Sequence, residues 1–132
     1  MATMKTHTFK RKDEDALIIL PCYFQKDEFA IALDTGASHT TIDLNVLYME
    51  GYTLQDALRT TQFEAATSVF DVYVFKVKKF TCLGITKHDM EIAAYDFLSY
   101  HLLADFDGVL GLDFFKEHKF CVDFKRNSIT LE

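Results

Sequence analysis

Leu33-Asp34-Thr35-Gly36-Ala37-Ser38 sets an acidic side chain directly after an apolar run and at the entry to a turn of small residues. The run before it, Phe29 to Leu33, faces a second one, Ala16 to Phe24, across the polar Gln25-Lys26-Asp27-Glu28. That spacing predicts strand, turn, strand, with Asp34 positioned and not merely solvated. Taken alone, Asp-Thr-Gly-Ala fits an ordinary Asx turn capping a hairpin equally well. A second stretch, Asp107-Gly108-Val109-Leu110-Gly111-Leu112-Asp113-Phe114-Phe115, places two glycines three apart among bulky residues. Close backbone packing is its implied purpose, and by itself it fits a buried strand leading to a helix capped by Asp113.

Outward from these two stretches the pattern is that of short strands. Thr40 to Ile42 is β-branched, and Asp43 can then cap a helix whose Leu44, Leu47 and Tyr48 share a face and which Gly51 stops. Thr53-x-x-Asp56 has the form of a capping box. Val69 to Phe80 alternates as a strand should, and so do Met90, Ile92 and Ala94 against Glu91 and Ala93. Phe120 to Phe124 and Ile129 to Leu131 flank the turn-like Lys125-Arg126-Asn127-Ser128, predicting a terminal hairpin. The sum is a mainly β domain with two or three short helices, closed like a barrel so that its strands keep no exposed edges. One domain over residues 16–132 accounts for the chain, with residues 1–15 as an N-terminal arm carrying the solvated run Lys10-Arg11-Lys12.

Composition excludes several classes. With 132 residues, 49% hydrophobic and thirteen phenylalanines, the chain can bury one core and is not a disordered segment. A net charge of −6, with Lys10-Arg11-Lys12 as the only basic run, speaks against nucleic acid or an anionic membrane as partner. No apolar stretch reaches transmembrane length, and none of signal-peptide length precedes Leu17. Cys22, Cys82 and Cys121 are far apart, odd in number and without zinc spacing, so free thiols and a cytoplasmic location are expected. No metal site is expected: His101 and His118 lack carboxylates at ligand spacing, and Asp105 and Asp107 lack the other ligands of a calcium loop. Ser38, His39 and Asp34 sit on one turn, where a nucleophilic triad cannot readily converge.

Order and spacing together are more specific than either stretch. An Asp-Thr-Gly-Ala-Ser turn after an apolar strand, followed about seventy residues later by apolar-apolar-Gly, resembles the retropepsin-like aspartic peptidases. The continuation Gly111-Leu112-Asp113-Phe114 resembles the non-viral, single-domain branch, whereas viral members usually carry a basic residue where Leu112 stands. The resemblance implies a retropepsin-like acid-protease barrel, one lobe per chain, a helix after the second motif, and a homodimer in which two Asp34 carboxyls meet on the two-fold axis. It implies an endopeptidase acting on extended peptides with apolar side chains beside the cut, without metal or cofactor. Asp34 would be catalytic, Thr35 would hydrogen-bond across the dimer, and Gly36 would let the backbone approach carboxylate and substrate. Ala37, Ser38 and Leu110 would line the substrate groove, together with Glu64, Ala65, Ala66 and Thr67 of a flap near Phe63 to Val69. That segment departs from the family in having no glycine at its tip. The alternatives are a dimeric module that captures extended peptides without cutting them, and a purely structural dimerisation domain.

Overall fold

The buried side chains of the central strands are enclosed by a sheet that closes on itself. The computed structural model describes residues 5–11, 13, 16–64, 69–98 and 105–132. Its strands are β1 (Lys5–Thr8), β2 (Ile19–Tyr23), β3 (Glu28–Leu33), β4 (Thr41–Asp43), β5 (Arg59–Glu64), β6 (Val69–Cys82), β7 (Ile85–Tyr95), β8 (Gly108–Leu110), β9 (Phe120–Asp123) and β10 (Ser128–Leu131). One helix, α1 (Leu44–Met49), and two 3-10 turns, Leu54–Asp56 and Leu112–Phe115, complete the described elements. Seven strands run in the order β2-β3-β8-β4-β7-β6-β5, and β2 also pairs with β6 through Cys22 and Cys82. This second pairing makes a ring of six strands, removing the edges an open sheet would expose, and β5 extends from β6 outside it. Ile31, Ile42, Phe75, Phe80, Ile92, Leu110 and Phe114 fill the ring and are fully buried. Phe80 meets Phe114 edge to face, with centroids 5.7 Å apart.

Local sequence accounts for most elements. Asp43 caps α1 by accepting from Asn45 N, and Thr53 with Asp56 forms the capping box. The buried face of α1 differs from the expected one, since Val46 is buried beside Leu44 and Leu47 while Tyr48 is turned outward. β6 departs from simple alternation: Phe75 and Val77 are buried, then Phe80 and Cys82, so the inward face changes parity at Lys78 and Lys79. There Lys78 N donates to the Tyr52 hydroxyl at 2.9 Å, and Asp89 across the hairpin takes φ 58°. The kink lets one long strand serve two parts of the barrel. The helix expected after the second motif is the four-residue 3-10 turn, and Asp113 lies inside it with Gly111 as its N-cap.

β8 threads between β3, to which it runs parallel, and β4, to which it runs antiparallel. The fit leaves no room for side chains at two points. A Cβ at Gly108 would lie 2.5 Å from the Thr41 carbonyl oxygen, and one at Gly111 would lie 2.5 Å from the carbonyl carbon of His39. Thr40, fully buried, fastens the crossing. Its amide donates to Asp113 Oδ1 at 2.9 Å, its hydroxyl donates to the same oxygen at 2.7 Å, and that hydroxyl accepts from Gly111 N at 3.1 Å. Asp107 accepts from Ala30 N at 3.0 Å and ties the start of β8 to β3.

Part of the expected arm is structured. β1 pairs with β10, which pairs with β9, forming a separate three-stranded sheet. Arg11, expected to be solvated, lies over the Phe124 ring at 5.2 Å and donates to Asn127 Oδ1 at 3.3 Å. Cys22 and Cys82 face each other across β2 and β6 as buried free thiols. Burial pushes both up, Cys82 to about 12. Among the described residues no helix is long and apolar enough to cross a membrane.

Two substitutions test the crossing by urea unfolding. Gly111→Ala must displace the His39 backbone and is expected to cost about 1–3 kcal/mol by overpacking. Thr40→Val keeps the shape and the backbone donation to Asp113 but removes the hydroxyl bond to that carboxylate and strands the Gly111 amide, for an expected loss of about 1–3 kcal/mol. Wild-type stability in either variant contradicts the corresponding contact.

Candidate active site

The Asp34 turn is held from both sides by backbone. Leu33 N donates to Ile18 O at 2.9 Å, Asp34 N to Leu110 O at 3.1 Å, and Leu112 N to Ala37 O at 2.9 Å. The second motif therefore grips the turn just before and just after its tip. Within the turn, Ala37 N donates to Asp34 O at 3.1 Å and Gly36 N to Asp34 Oδ1 at 2.9 Å. A Cβ on Gly36 would stand 3.2 Å from that oxygen, tighter than ordinary contact, so glycine suits the position.

Asp34, Thr35 and Gly36 are all exposed in the single chain. The carboxylate is thus fixed in direction but lies on an open surface, with Ala37 half-buried and Ser38 exposed beside it. Next to the turn is a cavity of about 660 Å3. Ser38, His39 and the 3-10 turn residues Leu112 and Asp113 form one side of it, and Arg59, Met90 and Glu91 the other. β5 and β6 make the hairpin that rises beyond, paired as far as Glu64 and Val69.

The structure sorts the expected groove residues. Asp34 to Ser38 form one continuous turn, and Glu64 ends β5. Ala65, Ala66 and Thr67 lie outside the described residues. Leu110 differs from expectation: its side chain is fully buried, so it reaches the turn only through its carbonyl. The strand's alternation puts Val109, half-buried, on the other face. Ser38 Oγ and His39 Nδ1 are 2.9 Å apart, yet no described carboxylate hydrogen-bonds His39 to make a triad. No group of three or more potential ligands capable of holding a metal occurs among the described residues. Sequence reading missed Thr40 and the true task of Asp113, which join across 73 positions. Nothing in local periodicity signals such a pair; only the buried position of a threonine between turn and strand hints at it.

Comparison with known proteins agrees with this architecture. The sequence matches the aspartyl protease family model over residues 20–114, a span containing both the Asp34 turn and Gly111 to Phe114. No curated protein sequence matches the chain. A retropepsin-like aspartic protease from Rickettsia conorii has a similar structure, with a TM-score of 0.70 at 15% identity, over 98% of this chain and 91% of that one. The retroviral protease-like domain of Ddi1 from Leishmania major is similar with a TM-score of 0.58 at 15% identity, over 88% of each chain. With the family model spanning most of the chain and the barrel matching these folds, the chain belongs to the aspartyl protease family and has its retropepsin-like fold.

Proposed function

We propose that this chain is one half of a homodimeric aspartic endopeptidase, with Asp34 from each subunit forming the catalytic pair. The observation that carries the reading is a rigidly held Asp-Thr-Gly turn whose carboxylate is exposed on the single chain. The sequence contains no second Asp-Thr-Gly or Asp-Ser-Gly with which to complete a site alone. A second copy supplies the missing carboxyl by symmetry. The outer strands of the small sheet, β1 and β9, offer backbone edges for that contact.

Two carboxyls within hydrogen-bond reach cannot both ionise cheaply, so the pair keeps one proton and titrates as a unit. The ionised Asp34 accepts a proton from a water as its oxygen attacks the peptide carbon. The protonated partner donates to the carbonyl oxygen as charge develops there. Asp34 Oδ1 is already aimed by the Gly36 amide, and Thr35 is exposed beside it for the cross-dimer hydrogen bond. Closure of the hairpin beyond Glu64 excludes water from the reacting bond. Substrates are extended peptide segments, with Ala37 and Ser38 flanking the cut. We place the protein in the cytoplasm, a reading supported by three cysteines, odd in number and widely separated in sequence.

Mass spectrometry of an unstructured peptide mixture incubated with wild type and with Asp34→Asn tests this. Wild type is expected to cut, and the variant to lose activity by about a thousandfold or more, through loss of its acid-base group. The rate is expected to fall on both sides of an optimum. At low pH the ionised carboxyl takes up a proton, and at high pH the shared proton is lost, so each limb removes the singly protonated pair. Peptides bound by a dimer but never cut would favour the binding module instead.

A further inference from the structure

The cavity beside the Asp34 turn sets two cations, Arg59 and Lys116, against two carboxylates, Glu91 and Asp113, and these four groups differ in how far each is already engaged. Five of its lining residues can carry charge: His39, Arg59, Glu91, Asp113 and Lys116. Arg59 Nη1 and Glu91 Oε1 pair at 2.7 Å. Asp113 is occupied by the Thr40 amide and hydroxyl at 2.9 and 2.7 Å. Lys116 is exposed on the 3-10 turn's C-terminal side and takes no ion-pair or hydrogen-bond partner among the described residues. The remaining polar groups, Ser38 Oγ and His39 Nδ1, bond each other at 2.9 Å. Met90 and Leu112 add apolar wall against which an aliphatic stem can lie.

We propose that this cavity is a substrate pocket that selects an acidic side chain, with Lys116 as its main counter-charge. The proposal rests on the endopeptidase reading for its substrate and deepens it by naming a preference. A glutamate entering the cavity finds a cation without first breaking a pair. It also reaches Arg59, whose guanidinium has further donors beyond the one on Glu91. The Arg59 and Glu91 side chains are 60% and 49% exposed, so their pair can share a partner at small cost. A lysine, by contrast, meets the Lys116 ammonium and must compete with Arg59 for Glu91. The whole chain is acidic at −6, so long-range attraction cannot produce the preference and the local groups must. Chain length alone keeps Ser38 Cα within about 15 Å of that of Asp34, which is roughly four residues or fewer along an extended peptide. Each subunit of the dimer carries one such pocket.

Binding of fluorescent peptides to Asp34→Asn protein tests the pocket without chemistry. The peptides come in sets differing only by Glu, Gln or Lys at one position, scanned through an otherwise apolar and neutral sequence. At one position Glu is expected to bind about fivefold more tightly than Gln, as for a partly exposed ion pair. That ratio is expected to vanish in Lys116→Gln and to give way to a preference for Lys in Lys116→Glu. Arg59→Gln is expected to reduce it only in part. Equal binding of Glu and Gln at every position, a ratio unchanged in Lys116→Gln, or no binding at all overturns the pocket. Cleavage by wild type is scored separately, so an enzyme that cuts without acidic preference contradicts this inference and leaves the endopeptidase reading standing.

Discussion

The hydrogen bonds between Asp113 and Thr40 hold together the two stretches on which the whole architecture turns. One carboxylate oxygen receives both the amide and the hydroxyl of a fully buried threonine, and the hydroxyl oxygen in turn accepts from Gly111 N. Every polar group in this knot depends on the others, and hydrogen bonds to an ionised acceptor are the stronger kind. The knot keeps His39 against Gly111, which keeps Leu110 O under Asp34 N and Ala37 O over Leu112 N. The place of the Asp34 turn is therefore set by backbone contacts made about seventy residues further along the chain, and the Gly36 amide then aims the carboxylate. The glycines at 108 and 111 follow from the same constraint, because the crossing leaves no room for a Cβ at either.

A rigid support under an exposed acid makes sense for a half-site. A buried pair of carboxyls is costly to keep, and an apolar contact would often be as stable, so retention of Asp34 in the proposed dimer points to chemistry over mere association. The barrel and the small sheet then divide the labour. The closed ring spends its strand edges on itself, while β1 and β9 are the outer strands of the small sheet among the described residues. The pocket proposed to select an acidic side chain fits the same plan, since it is built from the outer side of the turn and needs no residue from the second subunit.

Much of this was legible in the chain. Alternation gave the strands around Ile92 and the terminal hairpin, and the caps at Asp43 and Thr53 were readable from side-chain chemistry. The Asp34 turn and its partner motif were visible as local patterns, and their order and spacing resembled the family that the comparison assigns. What was not legible depends on contacts between distant residues. Asp113 has the composition of a helix cap and serves instead as the acceptor for Thr40. Leu110 looked like groove lining, but the pleat of β8, fixed by its two neighbouring strands, turns it inward. Arg11 read as a solvated charge because nothing near it in sequence announces Phe124 and Asn127. The parity change in β6 needs Tyr52 to receive the amide of Lys78, which a single strand's pattern cannot disclose.

The central claim is that one Asp34 is useless without another, and subunit mixing tests it most directly. Wild type and Asp34→Asn protein are combined in varying proportion at constant total concentration, re-equilibrated, and assayed on a cleaved peptide. If each site needs both aspartates, activity falls as the square of the wild-type fraction, so an equal mixture gives about one quarter of the wild-type rate from random pairing. A linear fall, with about half the rate in the equal mixture, means that each chain acts alone and contradicts the account.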